Sequence, residues 1–489
     1  MSSRIDFAKD AIVYGLGTGL KKFIGIFLLP FYTRALSVEE YGILGTVGAF
    51  SMFFSAVLNL GLDSATGYYY FKPQEDTEKG RILFTHFVIR IIGIVPPLIL
   101  SFFSTPLSKI LFGTTKYNWI VFASIMLVPI DLLMSEQSHI YRYLRKPWSY
   151  NIITIVKSFV NIGIGISLVV ILRWGVWGAQ IASITSSSIV IIGSFIIYTR
   201  RFYNYAFSFY WAKRMINFGF PLIWAGLATW VYNSSDRFFL LHYADVDEIG
   251  YYSIGTIFSQ PIGLINMAVQ MSFGVLFFKQ YHEEFDPDKP ASKKLAIAAY
   301  DLYLSIAVVL AGSLSVMGPI LVNFVTTPEY INGALAIPFL TFSLIYSQSY
   351  QTVAPGITLA EKNWYYTFFT ILTALVNIGL NFIFIPKWGF VGASATTLCS
   401  FMIYAFLKIY IANKYFRIDY PFSKYIALLI ITSAISIIYP IAELVYKMEL
   451  SLVTKIITVL FICSLPFIFK LISINKILSL LKLKTRNSE

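Results

Sequence analysis

Fourteen stretches of this chain are apolar over about the 20 residues that a helix needs to cross roughly 30 Å of hydrocarbon. They run Lys9–Tyr32, Tyr41–Leu62, Ile82–Phe103, Tyr117–Met134, Tyr150–Leu172, Val176–Tyr198 and Met215–Asn233 in the first half. In the second half they run Ile249–Phe278, Leu295–Met317, Gly333–Leu359, Trp364–Ile385, Phe390–Tyr410, Tyr425–Val445 and Leu452–Leu471. In lipid a backbone must satisfy its own polar groups, so each run is expected to be a helix and the chain an all-α membrane protein. Only 13% of its 489 residues are charged, against about 25% in soluble domains. The first run is too long for a cleaved leader, holds Lys21-Lys22, and leads directly into another run. Cys399 and Cys463 both sit in apolar runs, so neither a disulfide framework nor a metal cluster is expected.

The second half repeats the first. Val38-Glu39-Glu40-Tyr41-Gly42 returns as Val246-Asp247-Glu248-Ile249-Gly250, and Lys146-Pro147-Trp148-Ser149-Tyr150 as Lys362-Asn363-Trp364-Tyr365-Tyr366. Val160-Asn161-Ile162-Gly163 returns as Val376-Asn377-Ile378-Gly379. Arg173-Trp174-Gly175-Val176-Trp177-Gly178-Ala179 returns as Lys387-Trp388-Gly389-Phe390-Val391-Gly392-Ala393. The offsets of 208, 216, 216 and 214 stay almost in register. They predict a six-helix lobe over residues 1–198, a linker over 199–214, a second six-helix lobe over 215–412, and two further helices with a basic tail over 413–489. Six is even, so the copies enter the membrane from the same side, with a cavity expected between them as in transporters. The linker, with Arg200, Arg201, Tyr203, Tyr205 and Trp211, is expected to lie as a helix in the cytoplasmic interface.

The net charge of +13 is not a nucleic-acid footprint, because of where it falls. The termini and even-numbered connections, with the run ends beside them, hold 26 of the 38 Lys and Arg, the odd connections hold seven, and five lie deeper within runs. That bias places both termini in the cytoplasm. The longest connections, Asp63–Arg81 and Lys279–Lys294, leave no room for an extramembrane catalytic domain. No Walker-type phosphate loop is present, so no ATPase is expected within the chain.

A charge inside a bilayer is costly and marks function by default. Lys21 and Lys22 fall near the middle of the first run, while Arg90 and Lys157 fall at matching depths, about 12 Å in at about 1.5 Å per residue. Four deep cations in the first lobe imply a wet cavity holding an anion, with phosphate the natural partner. The alternative is that some pair with Asp131, Asp301 or helix-end carbonyls; Lys21 and Lys22, being adjacent, cannot both face one cavity. Asp301, and more weakly Asp131, are candidates to bind a coupling H⁺ or Na⁺; no other cofactor is expected. His86 reads as an interfacial histidine and Lys455 as a lysine that snorkels to the surface.

The stretch Leu29-Pro30-Phe31-Tyr32-Thr33-Arg34-Ala35-Leu36-Ser37-Val38-Glu39-Glu40-Tyr41-Gly42 resembles the first-loop signature of Wzx-type polysaccharide repeat-unit flippases. Asp236-Arg237 followed by Gly250-Tyr251-Tyr252 is similar to that family in the second lobe. The resemblance covers the whole chain and implies the MATE-like fold of fourteen transmembrane helices, two six-helix lobes plus two. The superfamily also holds MATE drug exporters and the lipid II flippase. What the resemblance implies is a flippase, not an enzyme, in a bacterial cytoplasmic membrane. It would carry an undecaprenyl-pyrophosphate-linked oligosaccharide to the outer leaflet by alternating access, for O-antigen, capsule or exopolysaccharide. Arg90 and Lys157, with Lys21 or Lys22, would hold the pyrophosphate. Arg34 falls on the family's loop arginine, and Asp236 and Arg237 on gating or structural positions. Membrane lipids and the polysaccharide polymerase machinery are the implied partners. A cation-coupled exporter of small molecules would need an acidic cavity, and a glycan polymerase or ligase would need a catalytic acid pair and an outer loop. Neither pattern is visible.

Overall fold

The computed structural model describes residue 19 and residues 25–472 apart from 145, 287 and 363. Lys21, Lys22 and most of the first run lie outside the described residues. No strand occurs among the described residues. The helices are α1 (25–35), α2 (Val38–Leu58), α3 (Leu62–Tyr70), α4 (Asp76–Ile92), α5 (Val95–Ser101), α6 (Ser104–Phe112) and α7 (Asn118–Tyr143). There follow α8 (Pro147–Gly165), α9 (Gly175–Ile197), α10 (Phe209–Ser234), α11 (Asp236–Tyr243), α12 (Val246–Glu283) and α13 (Pro290–Val316). The last are α14 (Gly318–Val325), α15 (Ile337–Val353), α16 (Gly356–Leu359), α17 (Trp364–Tyr415), α18 (Phe422–Leu444) and α19 (Leu452–Ile468). Ten of the described helical segments are long and apolar enough to cross a membrane. Large apolar side chains such as Phe102, Ile197 and Phe209 lie open on their surfaces, as lipid-facing residues do.

Local chemistry sets the element ends. Ser37 Oγ accepts the Glu40 N–H at 3.1 Å and Glu40 Oε2 accepts the Ser37 N–H at 3.1 Å, a reciprocal cap that starts α2. The third run divides at Gly93, where Pro96-Pro97 opens α5. The fourth run is part of one 26-residue helix that passes through Pro129 and packs against α2, α4, α8 and α9. The linker differs from the expected interfacial helix. It is a short 3₁₀ turn, Thr199–Phe202, and then extended chain up to the Ser208 cap of α10. Tyr203 and Trp211 are buried while Tyr205, Phe207, Phe209 and Tyr210 are exposed, so two aromatic residues anchor the segment inward and the others face out.

The chain forms two compact units, residues 1–253 with 378–390 and residues 254–377 with 391–489. Within the first unit the repeated motifs meet each other. A Cβ on Gly42 would stand 2.1 Å from the Val246 carbonyl oxygen, and one on Gly250 would stand 2.5 Å from that of Val38. The offset of 208 relates Gly42 to Gly250 and Val38 to Val246, so this is a reciprocal contact between equivalent surfaces. Gly175 and Gly389, related by 214, both adopt positive φ, +58° and +52°. Each presses on a repeated glutamate: a Cβ would lie 2.7 Å from Glu40 Oε1 at the first and 2.2 Å from Glu248 Oε2 at the second. Glycine is therefore required at both for conformation and for space.

In the second unit Phe277, Tyr300, Tyr303, Phe342 and Tyr425 pack from α12, α13, α15 and α18 into one apolar core. Asn266 ties it together, donating to the Leu344 carbonyl at 2.9 Å and accepting the Tyr303 hydroxyl at 2.8 Å.

Candidate functional site

Four helices, α2, α3, α4 and α7, build a buried charged cluster in the first unit. α2 ends at Asn59, and Gly61, in the left-handed region, turns the chain into α3. That turn sets Asp63 beside the carboxyl end of α2. Arg90, on α4, is 3% exposed and spends its guanidinium on this corner. Its Nη2 donates to Asn59 Oδ1 at 2.8 Å and to Asp63 Oδ1 at 3.0 Å. Its Nη1 donates to the carbonyls of Leu58 and Asn59, both at 3.3 Å, where the helix end is electronegative. Its Nε donates to His86 Nε2 at 3.1 Å. From α7, His139 Nδ1 comes within 3.2 Å of Asp63 Oδ1, and the Tyr143 hydroxyl donates to the Asp63 carbonyl at 2.9 Å. Burial works against a charge on Asp63, but contact with His139 and the Arg90 guanidinium overrides it and holds the carboxyl well below the usual carboxylate range.

Lys157 and Asp131 make a second, wetter pair. Lys157 Nζ reaches Asp131 Oδ1 at 2.7 Å, with the side chains 24% and 45% exposed, and Ser187 Oγ donates to the same oxygen at 2.8 Å. The two cations expected at matching depth are thus each held by an acid of their own. Arg34 is exposed and donates to the Pro30 carbonyl at 2.9 Å.

The remaining predicted residues stand apart from these pairs. Asp236 is fully buried at the start of α11, accepting the Tyr252 hydroxyl at 2.7 Å and the Asn381 amide at 2.7 Å. Arg237 donates to the Asn233 carbonyl at 3.3 Å and lies over the Tyr252 ring at 5.4 Å. In the second unit Asp301 Oδ1 accepts the Tyr425 hydroxyl at 2.7 Å. Lys455 does not snorkel: it is 1% exposed and bonds Glu443 at 2.7 Å, since a carboxylate in reach makes burial the better course. His86 is likewise no interfacial histidine, being 1% exposed between Arg90 and Thr66.

Sequence reasoning missed Asp63, His139, Glu136 and Lys408. Asp63 and Glu136 lie just beyond the ends of their apolar runs, where Ser135-Glu136-Gln137-Ser138-His139 reads as a loop although α7 continues to Tyr143. Lys408, counted with the cytoplasmic charges because its run ends at Tyr410, is 1% exposed and lies over the rings of Tyr404 at 3.6 Å and Tyr366 at 4.7 Å. Tyr404, one turn earlier on the same run, is the signal that could have found it.

With this geometry in place, a family profile described as polysaccharide biosynthesis protein matches residues 7–277, more than half of the chain. The chain belongs to that family. Two sequence relatives of this polysaccharide biosynthesis protein come from Haemophilus influenzae. The Lsg locus putative protein 1 is 24% identical over 268 residues, covering 54% of this chain and 63% of that protein. An uncharacterized membrane protein is 22% identical over 277 residues, covering 56% and 65%. The chain therefore spans a little under two thirds of the length of these relatives. Among solved structures, the lipid II flippase MurJ in an inward closed conformation gives a TM-score of 0.70 at 17% identity, covering 94% of this chain and 98% of that one. An inward-facing multidrug resistance MATE transporter of the MOP superfamily gives 0.62 at 15% identity, covering 83% and 97%. The family member thus has the MurJ- and MATE-like fold and is a multi-pass membrane protein.

Proposed function

We propose that this chain flips an undecaprenyl-pyrophosphate-linked oligosaccharide from the inner to the outer leaflet of a bacterial cytoplasmic membrane, by alternating access. The sugar chain would serve O-antigen, capsule or exopolysaccharide synthesis. Its two six-helix lobes, joined by the linker, would alternate between inward and outward openings, with both termini in the cytoplasm. The observation that carries the reading is the Lys157–Asp131 pair. A lysine and an aspartate, their side chains 24% and 45% exposed, sit on helices otherwise apolar enough to span a membrane. A diphosphate can displace Asp131 as the partner of Lys157 at little cost, because an exposed pair contributes only about 0–1 kcal/mol. Arg34, exposed and bonded to the Pro30 carbonyl, would add a second charge, and Lys21 or Lys22, outside the described residues, a third. Arg90 reaches the anion only by releasing Asp63 or Asn59, so it serves as the cation drawn in when the site closes. Membership of the polysaccharide biosynthesis family and a fold shared with a lipid II flippase support the substrate class.

Binding decides it. Purified protein in nanodiscs should bind a prenyl-pyrophosphate oligosaccharide in preference to the same lipid without phosphate. Lys157→Ala should weaken that binding about tenfold, the loss of one charge-assisted contact of about 1.5 kcal/mol. Equal affinity for the phosphate-free lipid, or for a small organic cation, would reject the reading in favour of an exporter.

A further inference from the structure

Glu136 is 1% exposed, and its surroundings suit a carboxylic acid better than a carboxylate. One oxygen, Oε1, accepts the Tyr203 hydroxyl at 3.0 Å. The other, Oε2, is buried with no hydrogen-bond partner. Among the described residues no basic group lies within ion-pair distance of it. A buried carboxylate without a cation bears the full loss of hydration, whereas a neutral carboxyl does not.

The charges around it leave the same proton unaccounted for. α3 contributes Asp63 and α4 contributes Arg90 and His86; α7 itself carries His139 and Tyr143, and the linker supplies Tyr203. α5 and α9, which also pack on α7, contain no ionisable side chain. α2 brings Tyr41 and, beside the opposite end of α7, Glu39 and Glu40, with Glu39 bonded to Tyr117. α6 brings Lys109, and α8 brings Tyr150 and Lys157, the latter held by Asp131. Arg90 is committed to Asp63, Asn59, the α2 carbonyls and His86. Because Arg90 Nε–H donates to His86 Nε2, that nitrogen carries no proton. His86 is therefore neutral, with its hydrogen on Nδ1 facing Thr66 Oγ1 at 3.1 Å. With His139 neutral, Asp63 and Arg90 cancel, and an ionised Glu136 leaves one unbalanced negative charge in the interior. His139, 18% exposed and three residues along the same helix face, is the ionisable group nearest in sequence that is partly exposed.

From this we infer that Glu136 is a proton-binding site, loaded from the cytoplasmic side through His139. The proton sits on Oε2 while this end of α7 packs dry against α4 and the linker. Its departure leaves a charge that demands water, so the packing must open. The use of this site in transport rests on the flippase reading; its protonation does not.

Infrared difference spectroscopy on the purified protein tests it without substrate. Wild type should show a protonated-carboxyl band at neutral pH that is lost on raising the pH. The band should be absent from Glu136→Gln and kept in Asp131→Asn and Asp301→Asn. A band that survives in Glu136→Gln overturns the assignment. If Glu136→Gln fails to fold, Glu136→Asp should shift the midpoint of the titration, and an unmoved midpoint overturns it equally. In proteoliposomes, leaflet exchange by wild type should vary with cytoplasmic-side pH and that by Glu136→Gln should not; exchange as pH-dependent in the variant as in wild type contradicts the coupling. No exchange by wild type together with a Glu136-dependent band would sink the flippase reading and leave the proton site standing.

Discussion

Arg90 is the most heavily bonded cation in the first unit, and its worth is structural before it is functional. Its partner Asp63 is only 15% exposed. Removing one side of such a pair leaves a charge without compensation, so Asp63→Ala should lower stability by about 3–5 kcal/mol, read as a fall in melting temperature in detergent. The same carboxyl gives a pH signature. Its folded value lies below the ordinary one, so its stabilisation is complete above the ordinary carboxylate value of roughly 4 and fades as pH falls through that range towards the lower folded value. Wild type should therefore lose more melting temperature than Asp63→Asn on acidification below about pH 4; parallel loss would show that Asp63 is not held charged. Asp131 is a contrast. It is 45% exposed, so Asp131→Asn should cost no more than about 1 kcal/mol while freeing Lys157 and changing the affinity for a diphosphate.

The helices themselves were largely legible in the sequence, because hydrocarbon leaves a run of apolar residues only one way to satisfy its backbone. The eleventh and twelfth runs, 364–385 and 390–410, are separated in α17 by the non-helical Gly389, inside the gap the sequence left between them. Boundaries were less legible where polar residues continue a helix, which hid Glu136 and His139, and where buried aromatics pull a segment inward, as in the linker. The charged candidates were visible as residues but not as pairs, since which acid meets which base depends on packing between distant helices. The repeat contained more than it showed. Glu40 and Gly175 occur in different echoes, yet they touch, and Glu248 and Gly389 touch in the same way. Glu248 Oε2 also accepts the Phe390 N–H at 2.8 Å, so Glu248→Ala should cost about 1.5–3 kcal/mol of stability in a melting experiment. Gly42→Leu and Gly250→Leu each force a side chain onto a backbone carbonyl, and each should cost upward of about 1–3 kcal/mol. Similar losses from the two variants would fit a reciprocal contact; loss from only one would contradict it.

At the scale of the whole molecule, the chain shares its fold with a lipid II flippase and a MATE transporter, and it is the placement of charges that favours the proposed anionic lipid over a small cation. The first unit mixes cations with buried acids. Lys157 is partly exposed and Arg34 exposed, while Asp63, Glu136 and Asp236 are turned inward. The second unit, where the sequence offered Asp301 as a candidate, also buries Lys408 and a Lys455–Glu443 pair, so the two halves are less unequal than four deep cations in the first lobe implied. Leaflet exchange in liposomes tests the central claim most directly. With a fluorescent prenyl-pyrophosphate oligosaccharide in the membrane, wild type should move the lipid between leaflets, and Lys157→Ala combined with Arg34→Ala should slow it by about tenfold or more. No exchange by well-folded wild type, or undiminished exchange by the double variant, would contradict the account.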